Sequence, residues 1–542
     1  MLLAIVFVAF GLRAVYVHQL SANPLFAHPE MDELYHDQWA RNMVAGESFV
    51  DGPYFRAPLY PAFLALIYKI FGQSYMAPRM AQAVLGSLSC GLLFLVGWRV
   101  FGRAVAGVAG FLAAGYWTLI YFDGELLIPS LIIFLDLLLL LLLFHAARSP
   151  GKLLYAAVGI VLGLSAIARP NILLLAPVLA VCPLVLHRAM RKRSWAYSGM
   201  LTLGCVSIVA PIAVRNYVVG GDVVLISSQA GVNFYIGNNP KSDGHTAIVP
   251  GTPGGWWEGY YASIERAEQA AGRSLKPSEV SRYYFSQAAD FITEQPTQFS
   301  QLFWKKLRLF WTRDEVSNNK GVYFWTEQFA PVMKYLPIGF GVVGPLGLLG
   351  LILCCRFRAE RFYISGFVLL YMLSVVLFFC TARYRMPVIP LLILLAVFAV
   401  FEGVRALRGK QWIACGTGVA VLALAGLFVN LPVAGAPFRN DAFSFIRLGT
   451  AYIDTGDTEA AIQSFRSSLE LEPEFRTASF NLAKLFHREG RIDEAIPEYR
   501  RALVARPKLS SETKEMVARI KINLARALKT RARSGEAVSR QK

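Results

Sequence analysis

The chain has 542 residues, 55% of them hydrophobic, and a formal net charge of +18. Soluble domains contain about 45–50% apolar residues, and the excess here falls in runs of about 20 residues, the length that crosses a bilayer. This composition excludes a large soluble protein and predicts a protein with many membrane spans. The basic residues cluster in short loops between apolar runs, so they indicate membrane orientation and exclude nucleic acid as a partner.

The apolar runs define the predicted spans. About eleven segments have enough length and hydrophobicity to cross a bilayer. They cover approximately residues 2–20, 77–98, 104–122, 126–146, 153–168, 171–187, 196–215, 336–354, 362–380, 387–404 and 412–430. Arg169 and Pro170 separate the short fifth and sixth segments, which can be two tight spans or a re-entrant hairpin. The sequence therefore predicts an all-α polytopic membrane protein with about eleven transmembrane helices.

The short loops carry the orientation signal. If the N-terminus is cytoplasmic, the inside loops are all basic: Arg99–Arg103, Arg148–Lys152, His187–Arg193, Arg356–Arg361 and Arg405–Lys410. An excess of Lys and Arg in short loops marks the cytoplasmic side. The long loops 21–76 and 216–335 and the C-terminal region then lie on the extracytoplasmic side. We expect an integral protein of the bacterial inner membrane.

The first long loop contains an acidic cluster soon after the first span. Asp32 and Glu33 are adjacent, with Glu30 before them and Asp37 one helical turn later. A carboxylate pair in this place can take a proton from a hydroxyl group, hold a divalent metal, or form a solvated loop in which Asp32 caps a helix. The residues alone leave these three interpretations open.

The second long loop predicts a small mixed extracytoplasmic region. Its first part, to about residue 240, alternates β-branched and aromatic residues between Gly-Gly and Asn-Asn-Pro, which favours short strands and turns. An amphipathic helix is predicted over 277–295, with Pro277 at its start. The run 297–312 carries Phe and Trp on one side and basic residues on the other. It favours a helix at the membrane surface, with a soluble packing helix as the alternative.

The C-terminal region contains a repeat. Residues 442–473 and 476–507 match each other at a period of 34 residues, which is typical of tetratricopeptide repeats. The shared positions are Leu448, Gly449, Tyr452, Ala461, Phe465 and Pro473 in the first copy, and Leu482, Ala483, Phe486, Ala495, Tyr499 and Pro507 in the second. We expect a membrane domain over 1–435 and an α-solenoid over 440–529. A helix at 511–529 would cap the repeats, and a disordered tail would follow at 530–542.

Five motifs occur in order along the membrane part of the chain. They are MDELYHDQWARNMVAG with YFRAPLYPAFLALIYKIFG, GELLIPS, GLSAIARPN, SSQAGVNFYIGNNP and ARYRMPVIPLL. Over about residues 1–405, this set resembles the GT-C glycosyltransferases. It is most similar to glycosyltransferase family 39 and the protein O-mannosyltransferase-like group, with the lipid A aminoarabinose transferases as more distant relatives.

The resemblance implies an enzyme that transfers a hexose or pentose, as a mannosyltransferase does. The sugar would move with inversion from a polyprenyl phosphate to a hydroxyl or amine of a protein, lipid or glycan on the extracytoplasmic face. It further implies that Asp32 is the general base and that Glu33 orients or assists it. The tetratricopeptide-like region is then expected to present the acceptor.

The leaving group in that reaction is a phosphate, and cations are needed to stabilise its negative charge. Arginine forms the best fork for phosphate oxygens. The outward-facing candidates for donor phosphate and lipid binding are Arg56, Arg169, Arg383 and Arg385, and the last two are preferred because they lie where the tenth span meets the headgroups. The alternative for each is an interfacial arginine that extends its charge into the headgroup region.

Further polar residues are candidates for positioning the acceptor or sugar. Asp123 and Glu125 precede the fourth span and are expected to face the same cavity as Asp32, or to stabilise a helix N-terminus. Asn233, Tyr235, Asn238 and Asn239 offer amides and a phenol, or form a turn. Asp136 lies deep in a span, and a pair with another helix, with Arg13 as the named partner, is the favoured interpretation. Glu30 and Asp37 are expected to be solvated.

A metal site is not predicted. The aminoarabinose transferases carry an acidic residue implicated in metal binding at the position of Arg56, so this chain departs from their pattern. Asp32, Glu33 and His36 could still bind a divalent cation loosely. Two other functions are weighed against the enzyme: a transporter or flippase, and a tetratricopeptide scaffold for cell-envelope polysaccharide assembly. The first would call for repeated membrane halves, and the second would leave the polar clusters without a role.

Overall fold

The computed structural model describes residues 1–253, 256–317, 320–354, 359–433, 435, 439–505 and 514–540. Within these ranges the regular structure is helical and no strand occurs, which confirms the predicted helical membrane protein. The strands predicted near the start of the second long loop are therefore wrong. Pro507 and part of the predicted loop Arg356–Arg361 lie outside the described residues.

The first membrane part contains ten α-helices, including two in the first long loop. They are α1 Leu2–Leu20, α2 Met31–Ala45, α3 Leu59–Phe71, α4 Met76–Phe101, α5 Arg103–Ala114, α6 Trp117–Gly124, α7 Pro129–Arg148, α8 Lys152–Ala168, α9 Ala176–Leu186 and α10 Arg191–Gly220. The predicted third span breaks into α5 and α6, which meet at 50°. This break lets α6 end near α2.

The second long loop folds into five further helices. They are α11 Ala230–Gly237, α12 Trp256–Ala271, α13 Pro277–Glu294, α14 Pro296–Trp311 and α15 Val322–Phe329. Helix α11 replaces the predicted strands because its glycines fit closely against neighbouring backbone. A side chain at Gly231 would place its Cβ 1.8 Å from the Ser281 carbonyl oxygen. Strand propensity depends on such packing and is easily overridden.

The remaining membrane helices are α16 Phe340–Cys354, α17 Ala359–Val376, α18 Ala382–Arg385, α19 Ile389–Arg408 and α20 Trp412–Asn430. Among the described residues, six helices are long and apolar enough to cross a membrane, or seven if the bent pair counts as one span. The other predicted spans are apolar helices of 10–17 residues. The structure thus has a helix at every predicted segment, and fewer full-length spans than about eleven.

The C-terminal region consists of paired helices. They are α21 Asp441–Thr455, α22 Thr458–Leu471, α23 Arg476–Arg488, α24 Ile492–Val504 and α25 Lys514–Arg540. Repeat positions such as Phe465, Ala483 and Tyr499 are buried in one apolar core. Helix α25 continues to Arg540, so the tail predicted as disordered from residue 530 is helical to that point. Its Ala- and Arg-rich sequence has high helix propensity.

Buried polar contacts join the membrane helices. The Arg13 Nε atom lies 2.6 Å from Asp123 Oδ2, and Gly86 leaves room for this pair because a Cβ there would lie 2.1 Å from the same oxygen. Asp136 accepts a hydrogen bond from the Ser165 hydroxyl at 2.7 Å. The predicted contact of Asp136 with another helix is therefore correct, but the predicted partner Arg13 is wrong.

Candidate active site

A cavity of 660 Å³ lies between the first long loop, the second long loop and the membrane helices. Its wall carries four charged residues that the sequence singled out: Asp32, Arg56, Arg169 and Arg383. The rest of the wall is largely apolar, with amides and hydroxyls at intervals. A large, mostly apolar cavity with a few convergent polar groups is the usual form of a ligand site.

Asp32 is held between two arginines. It lies in the first turn of α2 and is only 3% exposed. An amino nitrogen of Arg56 is 2.7 Å from Asp32 Oδ1, and Arg383 donates to Oδ2. Burial alone would raise the pKa of this carboxyl, but Arg56 and Arg383 hold it well below its usual range. Asp32 is therefore ionised in this structure, and it does not cap the helix, since Glu30 occupies the N-cap position.

The backbone just before Asp32 is unusual. Met31 has a φ of 52°, in the left-handed region that side chains other than glycine rarely adopt. On either side of this residue, Glu30 contacts Arg447 and Asp32 contacts Arg56 and Arg383. Strained residues of this kind persist where the surroundings hold them on both sides, and they cluster at functional sites.

Glu33 belongs to a separate buried network. Lys320 Nζ lies 2.7 Å from Glu33 Oε2 and 2.8 Å from Glu125 Oε2, and the Leu126 amide donates to Glu33 Oε1. Burial acts against the charge of Glu33, but Lys320 outweighs it, and the pKa of Glu33 is lowered. The network joins α2, the α6–α7 junction and the segment before α15 behind the cavity. Glu125 was expected to face the same cavity as Asp32, but it does not line that cavity and instead contacts Lys320 in this network.

His36 is buried beneath the acidic pair. It is 1% exposed, and its ring packs edge-on against Tyr60 at 5.0 Å between centroids. Burial, together with Arg56, lowers its pKa to about 3. A neutral imidazole is the form that ligates metals. Among the described residues, no group of three or more His, Cys, Asp or Glu side chains is placed to hold a metal ion.

The four candidate arginines separate into two groups. Arg56, Arg169 and Arg383 line the cavity, and the Arg169 guanidinium lies 4.1 Å from the centroid of Tyr384. Arg385 does not line it. Arg385 is 2% exposed, pairs with Glu315 at 2.8 Å, and donates to the carbonyl oxygens of residues 310 and 312. This position ties α18 to the end of α14 and leaves no open side for a phosphate.

Of the three candidate asparagines, one lines the cavity and two do not. Asn233 lines the cavity. Asn238 accepts from the buried Lys306 amine at 2.8 Å and donates to two backbone carbonyls, and Asn239 bonds the backbone around it. Tyr235 packs against Tyr284 with 5.2 Å between ring centroids. Asn238 and Asn239 therefore form the turn that was the alternative interpretation. Asp123, also a candidate, pairs with Arg13 outside the cavity.

Several important residues were missed or misjudged from the sequence. Asp37 was expected to be solvated, but it is 2% exposed and accepts from Arg41 at 2.9 Å and from Tyr68 at 2.7 Å. Glu30 was also expected to be solvated, but it binds Arg447 of α21. Lys320 was not singled out at all. Arg41 follows Asp37 by four residues, a local pattern that could have indicated this pair. Tyr68, Arg447 and Lys320 meet their partners from distant parts of the chain, and no local pattern marks them.

Comparison with known proteins finds two family matches. Residues 55–214 match the family model described as dolichyl-phosphate-mannose-protein mannosyltransferase, and residues 446–510 match a tetratricopeptide repeat model. No curated protein matches the chain. The two family matches confirm the predicted resemblance to the mannosyltransferase-like group with a C-terminal tetratricopeptide region. They support the general class of glycosyltransferase.

Solved structures of low similarity cover much of the chain. The archaeal oligosaccharyltransferase AglB from Archaeoglobus fulgidus, in complex with an inhibitory peptide and a dolichol-phosphate, is 14% identical, with 84% of this chain and 59% of that chain covered and a TM-score of 0.40. ArnT from Cupriavidus metallidurans bound to undecaprenyl phosphate is 15% identical, with coverages of 74% and 78% and a TM-score of 0.35. The chain thus spans less than two thirds of the oligosaccharyltransferase.

Proposed function

We propose that this protein is an inverting glycosyltransferase that moves a sugar from a polyprenyl-phosphate donor to an acceptor hydroxyl. The observation that carries the proposal is the placement of Asp32 at the wall of the 660 Å³ cavity, between Arg56 and Arg383. A carboxylate and phosphate-binding cations thereby share one site. The matched family, whose description names dolichyl-phosphate mannose and protein, supports the same reaction class.

The arginines suit the leaving group. Displacement of a sugar from its phosphate leaves a lipid phosphate whose charge increases in the transition state, and arginine forks stabilise such charge well. Arg56, Arg169 and Arg383 all face the cavity. The donor phosphate binds these cations, and the lipid chain occupies the apolar part of the wall.

The same arginines control the base. Asp32 has a lowered pKa while both guanidinium groups contact it, and in that state it is a weak proton acceptor. Donor phosphate competes for Arg56 and Arg383. As their contacts pass to the phosphate, the pKa of Asp32 rises toward its ordinary range, so the base becomes active only when donor is present.

The acceptor oxygen gives its proton to an Asp32 carboxylate oxygen and forms a bond to the anomeric carbon. The bond from that carbon to the phosphate oxygen breaks, and its electron pair leaves with the lipid phosphate. Attack opposite the leaving group inverts the anomeric centre. Glu33 assists from behind by fixing the start of α2 through Lys320.

The remaining assignments follow the charge pattern of the loops. The N-terminus is cytoplasmic, and the cavity and the tetratricopeptide region are extracytoplasmic, in a bacterial inner membrane. Asn233, which lines the cavity, helps to place the sugar or the acceptor. The acceptor is a protein or glycan that the tetratricopeptide region presents to the cavity. No metal is assigned a step.

Replacement of Asp32 tests the proposal. In membranes of a deletion strain, which supply the natural donor and acceptor, Asp32→Asn should lower the transfer rate by about 10²–10⁴-fold. Transfer is measured as the mass gained by extracytoplasmic proteins and glycolipids. The exposed Asp51 lies in the same loop, and Asp51→Asn is the matched control that should retain the wild-type rate. A normal rate in Asp32→Asn would overturn the assignment.

A further inference from the structure

Helix α21 of the tetratricopeptide region packs on the loop that leads into α2 and on α15. One buried apolar cluster joins these parts and consists of Leu25, Phe324, Trp325, Leu448 and Ala451. Leu25 belongs to the loop that leads into α2, and Phe324 and Trp325 belong to α15, which follows Lys320. The first tetratricopeptide helix therefore contacts both the loop that leads to Asp32 and the helix that follows Lys320.

An ion pair continues this contact toward Asp32. Arg447 Nε lies 2.8 Å from Glu30 Oε2, and a second guanidinium nitrogen donates to the same oxygen. The Arg447 side chain is 11% exposed and that of Glu30 is 31% exposed. A pair that reaches solvent to this extent contributes little to stability, so its effect is expected to be geometric.

The position of Glu30, two residues before Asp32, is what allows the ion pair to affect the site. Glu30 is the N-cap of α2, Met31 follows in the left-handed region with a φ of 52°, and Asp32 comes next. Arg447 holds the residue before the strained one, and Arg56 and Arg383 hold the residue after it. Without Arg447 the strained turn loses the restraint on its N-terminal side, and Met31 can relax toward an ordinary backbone conformation.

We infer that the tetratricopeptide region sets the position of Asp32 through the Arg447–Glu30 ion pair, so that Arg447 is a positioning residue for sugar transfer. The inference rests on the proposed role of Asp32. It departs from the expectation that the region only presents an acceptor. A tetratricopeptide region that merely captures an acceptor would affect acceptor affinity, whereas a region that places the base affects the maximal rate. A partner that pulls α21 away from Glu30 would slow the enzyme.

The test uses the full chain in membranes of the deletion strain. Arg447→Ala should lower the maximal transfer rate about tenfold, because small displacements of a catalytic group are costly. The affinity of the purified full chain for undecaprenyl phosphate should stay within about twofold, since Arg447 does not line the cavity. Glu30→Arg combined with Arg447→Glu should recover most of the rate. Arg466→Ala, which removes an exposed ion pair of the same region, is the control.

Two results would overturn the inference. An unchanged maximal rate in Arg447→Ala is the first. A rate loss that the charge-exchanged variant does not recover, with a matching fall in the thermal midpoint, is the second, because it would mean that Arg447 only stabilises the fold. Failure of the proposed function is separate: Asp32→Asn would then transfer sugar normally, and a rate loss in Arg447→Ala could no longer be attributed to Asp32.

Discussion

Arg383 donates a hydrogen bond to Oδ2 of Asp32, although 351 residues separate the two in the chain. The contact joins the beginning of α2 to α18, which lies just before the long apolar helix α19. Arg56 contacts the other oxygen of the same carboxylate, so two guanidinium groups face one carboxylate and leave a net positive charge at the cavity wall. Under the proposed function, a donor phosphate binds these cations by exchange of partners.

Arg383 and Arg385 are separated by one residue and should respond differently to substitution. Arg383→Ala should lower the affinity for donor and undecaprenyl phosphate and reduce transfer by about 10²–10³-fold, since it removes a cation from the leaving phosphate. Arg385→Ala should mainly destabilise the protein, by about 3–5 kcal/mol, because it leaves the buried Glu315 carboxylate without its partner. Lipid affinity and the thermal midpoint, measured for both variants, separate the two roles. Equal losses of affinity with unchanged midpoints would contradict the division.

Lys320 should be required for stability because it is the cation beside the buried Glu33 carboxylate, whereas burial and Glu33 raise the pKa of the neighbouring Glu125 to about 8. Lys320→Met should lower the free energy of unfolding by about 3–5 kcal/mol, since the Glu33 carboxylate would stay buried without its cation. Glu33→Gln in the same chain should recover part of that loss by removing the uncompensated charge. The readout is the thermal unfolding midpoint in detergent.

The exposed Lys334 provides the comparison for this pair of variants. Lys334→Met should leave the midpoint unchanged. If Lys320→Met were as stable as wild type, or if adding Glu33→Gln made it less stable still, Lys320 would not act as the counter-charge of Glu33.

His36 should make stability depend on pH. Burial and Arg56 lower its pKa to about 3, whereas the unfolded chain takes up the proton near pH 6.5. Its contribution to stability is thus complete above about pH 6.5 and is lost as the pH falls toward 3, by up to about 1.4 kcal/mol per pH unit. His36→Gln should reduce the difference in unfolding free energy between pH 7 and pH 5 by about 2 kcal/mol.

The exposed His28 lies in the same loop and provides the control. His28→Gln should retain the wild-type slope of the thermal midpoint against pH. A slope in His36→Gln equal to that of wild type would mean that this imidazole is not held neutral in the folded protein.

The helices were largely predictable because their signals are local. Apolar runs of spanning length and the 34-residue period depend only on neighbours in sequence, and they correspond to helices such as α4 and α22. The failure at α11 has a tertiary cause. Its β-branched and aromatic residues favour a strand, but contacts of Gly231 with Ser281 and of Gly237 with Phe378 accommodate a helix.

The candidate site was predictable only in part. The resemblance directed attention to Asp32, Glu33, Arg56 and Arg383, which the structure brings together at or beside the cavity. It could not separate Arg383 from Arg385, because both follow the same short motif and only the turn of α18 directs one of them toward Glu315. Lys320 lies 287 residues from Glu33, and no pattern in the sequence indicates that pairing.

Asp32 and Glu33 are adjacent on α2, yet they contact different partners on different sides of the helix start. One faces Arg56 and Arg383, and the other faces Lys320 and Glu125. Exchange of the two residues, to Glu-Asp, would preserve the charge, the composition and the helix. Each side chain would then be one methylene group too long or too short to reach the partners at its position. In relatives of this chain, an acidic pair at these positions therefore indicates the same two sets of contacts only if Asp comes first and Glu second.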